Sequence, residues 1–459
     1  MNKYMLSDIA KFINGELYGN DMIVSNFSID SRTIRKDDVF ICIKGKKYDG
    51  HDFISHCIKK ASCLITSKEI TDINLEEKSY IKVNDTLKAL QELSRFARSK
   101  SKAKFIAITG SNGKTTVKEM IAHILSDYKI CYTKGNLNNH IGVPLTLLSM
   151  KQDEDFVIVE IGANNLGEIS PLANIVNPDI AAVTNIGYAH IEGFKSLDNT
   201  AKEKYSIFEN VKKDGFFIIN DEDKYEKFIR KGNKIFFGFE KTKYDKIKKI
   251  LRNIFYKIEF LYIKKINKNL FQLKNSSAEI NFKLLINGEH NYSNAACAVS
   301  IATCLGFHLE DIKHKLESFE GVSSRLKIVK LKNDIHVIDD CYNANPNSFK
   351  VAIEFLSGLD EKKLVLMGDM VELGQDIELF HAKVGKYART MGINEFLSIG
   401  KNSRFASKAF GHNGLHFEDK ESLKSYLNNN IAPSTRILIK GSRAAKLEEY
   451  VDFLKARKF

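Results

Sequence analysis

The sequence predicts an α/β protein in three regions. These are a small N-terminal α/β unit over residues 1–100, a central parallel-sheet unit with a phosphate-binding loop over 101–320, and a Rossmann-like α/β unit over 321–459. Three observations carry this reading. The stretch Phe105–His123, FIAITGSNGKTTVKEMIAH, has the order strand, glycine loop, helix. Apolar strand-length segments alternate with helix-length segments through two separate stretches of chain, the rhythm of a parallel sheet covered on both faces. Finally, 459 residues exceed what one hydrophobic core supports.

In the first region short strands and turns (24–29, then 39–43) give way to a helical pattern over Asp85–Arg98. A basic, small-residue linker, Ser99–Lys104, leads into the central region. Its strands are expected at Phe105–Thr109, Phe156–Glu160, Ile180–Asn185 and Phe216–Asn220. Residues 241–286 alternate charged and β-branched side chains and predict an antiparallel excursion, which a helix over Asn291–Leu305 closes. From about Gly321 the α/β rhythm resumes, with strands at Ile335–Asp339, Lys363–Met367, Glu395–Ile399 and Ile437–Ile439.

Composition narrows the class. Hydrophobic residues at 43% and charged residues at 28% fit a water-soluble globular chain, and no apolar run reaches the roughly 20 residues that span a bilayer. The N-terminus MNKYMLSDIAKFING alternates apolar and charged residues and lacks a secretion signal's apolar core. All seven cysteines stand singly, so reduced thiols in a cytoplasm are expected, without disulfides or a zinc site. The net charge of +13 suits anionic ligands. The lysines form no basic stripe interleaved with aromatics, which argues against nucleic acid.

The loop after Phe105–Ile108 reads TGSNGKTT. In such a loop backbone N–H groups and the helix N-terminus hold phosphates, the lysine neutralises the outer phosphates, and the first hydroxyl residue holds Mg²⁺. The generic spacing would put the first glycine at Ile108; here it is Gly110. Beyond neighbouring strands stand Glu160, after three β-branched apolar residues, and Asn185 with His190. A carboxylate and an imidazole beside a triphosphate are what divalent cations require. Each alone has a plainer explanation, a solvent-facing acid or a loop histidine; jointly with the loop they predict a metal site.

ITGSNGKTT, EIGANNLGEI, TNIGYAHIEGF and GEHNYSNAACA, in that order, resemble the Mur ligases, and DDCYNANPNS, GDMVELG and KGSR complete the pattern. GNLNNHIGVPLTLL and DDCYNANP point to the MurF type, and SIDSRTIRKDDVFICIKGKKYDGHDFI resembles the UDP-sugar-binding domain of the MurE and MurF types. The likeness spans essentially the whole chain. It implies a cytoplasmic, ATP-dependent ligase of peptidoglycan precursor synthesis that joins D-alanyl-D-alanine to UDP-N-acetylmuramoyl-tripeptide through an acyl phosphate. It also implies two Mg²⁺ ions, a monomer, no nucleic acid and no membrane insertion. Two further readings stay open: a MurE-type or folylpolyglutamate-synthase-like ligase, and a nucleic-acid-stimulated P-loop ATPase.

The resemblance assigns roles residue by residue. Gly110, Ser111, Asn112, Gly113, Lys114, Thr115 and Thr116 would bind ATP phosphates, Asn294 the adenosine, Arg325 the phosphates and Asp340 the nucleotide. Thr115 and Glu160 would hold one Mg²⁺. His190 would serve the second, with a lysine that the family carries as a carbamate, matched here by Lys204, or by Lys202 if the register shifts. The UDP site would use Asp30, Ser31 and Arg32. Asn138 and Asn139 would face the muramoyl-peptide, and Tyr342, Asn343 and Asn345 the dipeptide. Tyr188, Asn165 and Ser324 depart from the family pattern, where proline, histidine and glycine are usual; none is a proposed ligand.

Overall fold

Among the described residues four sheets organise the chain. The computed structural model describes residues 3–71, 78–229, 232–239, 259–266, 270–274, 279–286 and 288–457. At the N-terminus β1 (Tyr4–Met5) and β3 (Ile23–Val24) make a two-stranded ribbon. Beside it β2 (Glu16–Tyr18), β4 (Asn26–Ser28), β5 (Asp38–Ile41), β6 (Cys63–Thr66) and β7 (Ser79–Lys82) form a five-stranded sheet in the order β2-β7-β6-β5-β4. β4 to β7 run parallel, and only β2 is antiparallel to its neighbour.

Among the described residues the central sheet has nine strands, in the order β16-β15-β14-β13-β12-β11-β8-β10-β9. These are β8 (Lys104–Thr109), β9 (Ile130–Tyr132), β10 (Phe156–Glu160), β11 (Ile180–Val183), β12 (Phe216–Asn220), β13 (Asn233–Phe239), β14 (Glu259–Lys265), β15 (Phe271–Lys274) and β16 (Glu279–Phe282). Pairing is parallel from β9 through β14 and antiparallel from β14 to β16, so the expected antiparallel excursion is found over 259–282; residues 240–258 lie outside the described ones. β8 lies between β10 and β11, parallel to both. The carboxyl ends of these three strands therefore share one rim, where open α/β sheets gather ligands.

The third sheet holds β17 (Lys327–Lys330), β18 (His336–Asp340), β19 (Lys362–Gly368), β20 (Glu395–Ile399), β21 (Gly414–Phe417) and β22 (Thr435–Lys440), in the order β17-β18-β22-β19-β20-β21. All but β17 run parallel. Asp340 and Lys440 are register partners at the carboxyl ends of β18 and β22.

The linker expected at Ser99–Lys104 is shorter in the structure. The helix Thr86–Lys100 absorbs its first residues and β8 begins at Lys104. The reason is packing: Arg98 lies buried over the Phe105 ring at 3.6 Å, and its Nε donates to Val176 O at 2.7 Å. One apolar cluster runs from Leu6, Ile41 and Leu90 of the first region to Phe105, Val143 and Phe217 of the second. The opposite face of the central sheet is covered by the helices Lys114–Ile124 and Glu289–Cys304, the latter buried through Ala295–Ala302. Among the described residues no helix is long and apolar enough to cross a membrane.

Candidate active site

The phosphate loop is shaped by what its glycines touch. Gly110 has φ +145°, and a Cβ there would lie 2.0 Å from Thr184 Oγ1; Gly113 has φ +83°, and a Cβ would lie 2.3 Å from Asn294 Oδ1. Neither position accepts a side chain. The loop is tied to the end of β11. Ser111 N donates to Asn185 O at 2.9 Å, Asn112 N to Asn185 Oδ1 at 3.0 Å, and Gly187 N to Ser111 Oγ at 2.9 Å. Lys114 folds back so that its Nζ donates to Gly110 O at 2.8 Å. Burial holds the Lys114 ammonium below its ordinary pKa, opposed by the Glu160 charge and reinforced by Arg325.

Glu160 ends β10 beside this loop and is buried. Its Oε1 accepts from Asn138 Nδ2 at 2.8 Å, while Oε2 is buried without a hydrogen-bond partner among the described residues. A buried carboxylate oxygen is not left bare without cost, and this one is the hard donor a divalent cation takes. Lys204 is buried on the helix Leu197–Tyr205. Burial first, then the Lys114 charge, push its amine down to about 7, so much of it is neutral at neutral pH. A neutral amine is the form that adds CO₂ to become a carbamate. Among the described residues no group of three or more His, Cys, Asp or Glu side chains forms a ready-made metal site. Any cation here would draw further oxygens from bound phosphates.

Glu203 fixes the helix that carries Lys204. Its buried carboxylate accepts from Gly167 N, Glu168 N and Ile169 N at 2.6, 2.9 and 2.7 Å, at the start of the helix Ile169–Val176. The negative charge meets the positive helix end. His190 begins the next short helix with φ +54° and packs edge-on to Phe194, centroids 6.3 Å apart. Lys204 Nζ lies 5.1 Å from the same ring. His190 and Lys204 therefore flank one aromatic side chain.

The third region supplies groups to this rim. Arg325 Nη2 donates to Thr115 Oγ1 at 3.0 Å, and the guanidinium lies 4.4 Å from the Tyr342 ring centroid. Asn345 Nδ2 donates to Asn112 Oδ1 at 2.8 Å and caps the helix Pro346–Ser357. Asp340 pairs with the buried Lys440 Nζ at 2.5 Å and accepts from Leu326 N at 3.2 Å; Lys440 also donates to Asn343 O at 2.9 Å. Loops of two sheets thus meet over one phosphate cradle.

Comparison with known proteins agrees along the whole chain. Residues 23–98 match the catalytic domain of the Mur ligase family, 108–302 the Mur ligase middle domain, and 324–443 the Mur ligase glutamate ligase domain. A relative from Buchnera aphidicola (subsp. Acyrthosiphon pisum), a UDP-N-acetylmuramoyl-tripeptide–D-alanyl-D-alanine ligase, is 38% identical over 457 residues, which cover 98% of this chain and 97% of the relative. The chain belongs to the Mur ligase family. The similarly named Escherichia coli protein is 35% identical over 97% of each chain. MurF from Acinetobacter baumannii superposes with a TM-score of 0.89 at 28% identity, covering 100% of both chains.

Within this Mur ligase, Gly110–Thr116, Glu160, Asn294, Arg325 and Asn345 gather around the loop. Asn138, expected to face a peptide, donates from Nδ2 to Glu160 Oε1, and Asn139 Oδ1 accepts from Ile141 N and Gly142 N at 3.1 and 2.9 Å. Tyr342 lies under Arg325, and Asn343 Oδ1 accepts from Ala344 N at 2.9 Å. Asp30, Ser31 and Arg32 lie apart, in the turn after β4. There Arg32 clamps Asp30, Nη2 to Oδ2 at 2.6 Å, and this pair holds the Asp30 carboxyl down at about 2. Sequence reasoning missed Glu203 and the pairing of Lys440 with Asp340. KGSR pointed to Lys440, but not to its Asp340 partner; nothing local distinguishes Glu203 from a solvated helix acid.

Proposed function

We propose that this Mur ligase joins D-alanyl-D-alanine to UDP-N-acetylmuramoyl-tripeptide with ATP, in the cytoplasm, working through an acyl phosphate as a monomer. The observation that carries the reading is a phosphate cradle beside the bare, buried Glu160 Oε2, in a chain related end to end to ligases of that name. Residues 1–100 would hold the UDP portion, through Asp30, Ser31 and Arg32. Residues 101–320 would bind ATP, and 321–459 the incoming dipeptide near Tyr342, Asn343 and Asn345. Asn138 and Asn139 would border the muramoyl-peptide.

The substrate carboxylate attacks the γ-phosphorus, and the bond to the ADP oxygen breaks. The dipeptide amine then attacks the acyl carbonyl, a C–N bond forms, phosphate leaves, and the amine gives up a proton. Phosphorylation supplies the leaving group a carboxylate lacks, so the protein's task is positioning and charge neutralisation. Lys114 leaves Gly110 O for the outer phosphates, and Arg325 leaves Thr115 for the transferring group. Gly110–Thr116 cradle the phosphates, Asn294 borders the nucleoside, and Asp340 orients the nucleotide with Lys440 behind it. Thr115, Glu160, His190 and Lys204 as its carbamate would hold two Mg²⁺, which supply charge neutralisation of the phosphoryl oxygens.

The test is ADP release with ATP, Mg²⁺ and UDP-muramoyl-tripeptide, comparing D-alanyl-D-alanine, single diamino acids and polynucleotides. Release that requires the dipeptide, with the pentapeptide product appearing in equal amount, is expected. Dependence on a diamino acid or on polynucleotide would overturn the assignment.

A further inference from the structure

GDMVELG, at Gly368–Gly374, has no part in the chemistry above, yet it touches His190. The Glu372 carboxylate lies against His190 Nδ1 within ion-pair reach but outside hydrogen-bond alignment, and Glu192 N donates to Glu372 O at 3.3 Å. Both residues are strained. His190 has φ +54° and Glu372 φ +63°, left-handed backbone that a side chain disfavours. Such strain persists only where surrounding structure imposes it, and it collects at functional sites. Around the contact the two loops pack closely. Tyr188 and Phe380 rings lie 6.2 Å apart, and a Cβ on Gly374 would sit 3.9 Å from Glu192 Cα. Behind His190, a Cβ on Gly193 would lie 1.8 Å from Asn164 O, so the loop has no room to retreat that way.

We propose that Glu372 is a positioning residue that clasps the His190 imidazole through Nδ1, turns Nε2 toward the cation, and thereby couples seating of the third region to metal binding on the second. The inference rests on His190 being a metal ligand, as proposed above. A metal-bound histidine is oriented by a carboxylate on its other ring nitrogen, and removing that partner costs roughly 10–100-fold in metal affinity. Here the carboxylate arrives from a different sheet. The orienting partner is therefore present only when the third region is seated, and by linkage the cation favours seating in return.

The test uses the full-length protein with Mn²⁺ as probe. Mn²⁺ binding is titrated by electron paramagnetic resonance for wild type, Glu372→Gln, Glu372→Ala and His190→Ala, each checked for an unchanged melting profile. Hydrogen exchange is followed over 187–194 and 368–376. His190→Ala is expected to remove one site, and Glu372→Ala to weaken that site about tenfold or more. Glu372→Gln keeps an acceptor and should fall between. In wild type Mn²⁺ should protect both segments; in Glu372→Ala it should protect 187–194 alone. Unchanged Mn²⁺ affinity in Glu372→Ala, with the site lost in His190→Ala, overturns the clasp while leaving the metal assignment standing. Unchanged binding in His190→Ala overturns that assignment and the clasp with it.

Discussion

Replacing Glu203 by glutamine should loosen the centre of the molecule without touching any reacting atom. The carboxylate accepts three backbone N–H groups, from Gly167 at 2.6 Å, Glu168 at 2.9 Å and Ile169 at 2.7 Å, and is 4% exposed. A glutamine keeps the two bonds on Oε1 but turns an NH₂ toward Gly167 N–H, donor against donor. Hydrogen bonds to a charged partner contribute about 1.5–3 kcal/mol each, and a buried donor left unmet costs about 1–3 kcal/mol. Losing one such bond, together with the charge at the helix start, gives a destabilisation of about 2–5 kcal/mol. For the unit that the first two regions form through their shared apolar cluster, that corresponds to a melting decrease of about 3–8 °C. Scanning calorimetry reads the shift, and hydrogen exchange over 167–176 reads its location. Ligase turnover should fall as well, because Lys204 follows Glu203 on the same helix. A variant melting within about a degree of wild type, with unchanged exchange over 167–176, would refute the view that this carboxylate pins the helix.

Lys114→Ala and Glu160→Gln should each abolish ADP release while leaving the circular dichroism spectrum and melting profile close to wild type; normal turnover in either removes it from the site. Asp223 gives a pH signature. Burial pushes its carboxyl up to about 7, although Ile186 N and the Tyr205 hydroxyl both donate to it. Between about pH 4 and 7 the folded protein keeps a proton that the unfolded chain has lost, so stability falls as pH rises through that window, by at most about 4 kcal/mol. Asp223→Asn should therefore raise the urea midpoint at pH 8 far more than at pH 5, and an equal change at both refutes the burial argument. Gly113→Ala should weaken nucleotide binding, since the added methyl meets Asn294 Oδ1; unchanged ATP affinity by calorimetry would show that the loop yields at little cost.

The parts legible in the sequence are those whose signal is local. β10 and β12 match the expected spans, Phe156–Glu160 and Phe216–Asn220, because strands buried on both faces read as unbroken apolar runs. The phosphate loop was legible because glycines at fixed spacing beside a lysine serve few other purposes. What escaped depends on distant partners. The linker shortened because Arg98 finds carbonyls at Val176 and Asn177, nearly eighty residues away. Asn138 resembles any turn asparagine until β10 brings Glu160 to it. Glu203, Glu372 and Lys440 are single charges in ordinary surroundings, and only the folded chain supplies the N–H groups, the imidazole and the aspartate that give them roles.

The apolar cluster joining the first two regions sets how the chain comes apart. Leu90, Phe105, Val143 and Phe217 share one apolar interior, whereas the third region keeps its own clusters and reaches the phosphate loop through polar pairs, Asn345 to Asn112 and Arg325 to Thr115. Water substitutes for a polar pair at small cost and for an apolar interior only at great cost. Under urea or mechanical load the molecule should separate into two pieces rather than three, parting near Gly321. A protein engineer exchanging residues 1–100 between relatives would have to carry part of the central sheet's covering helices with them.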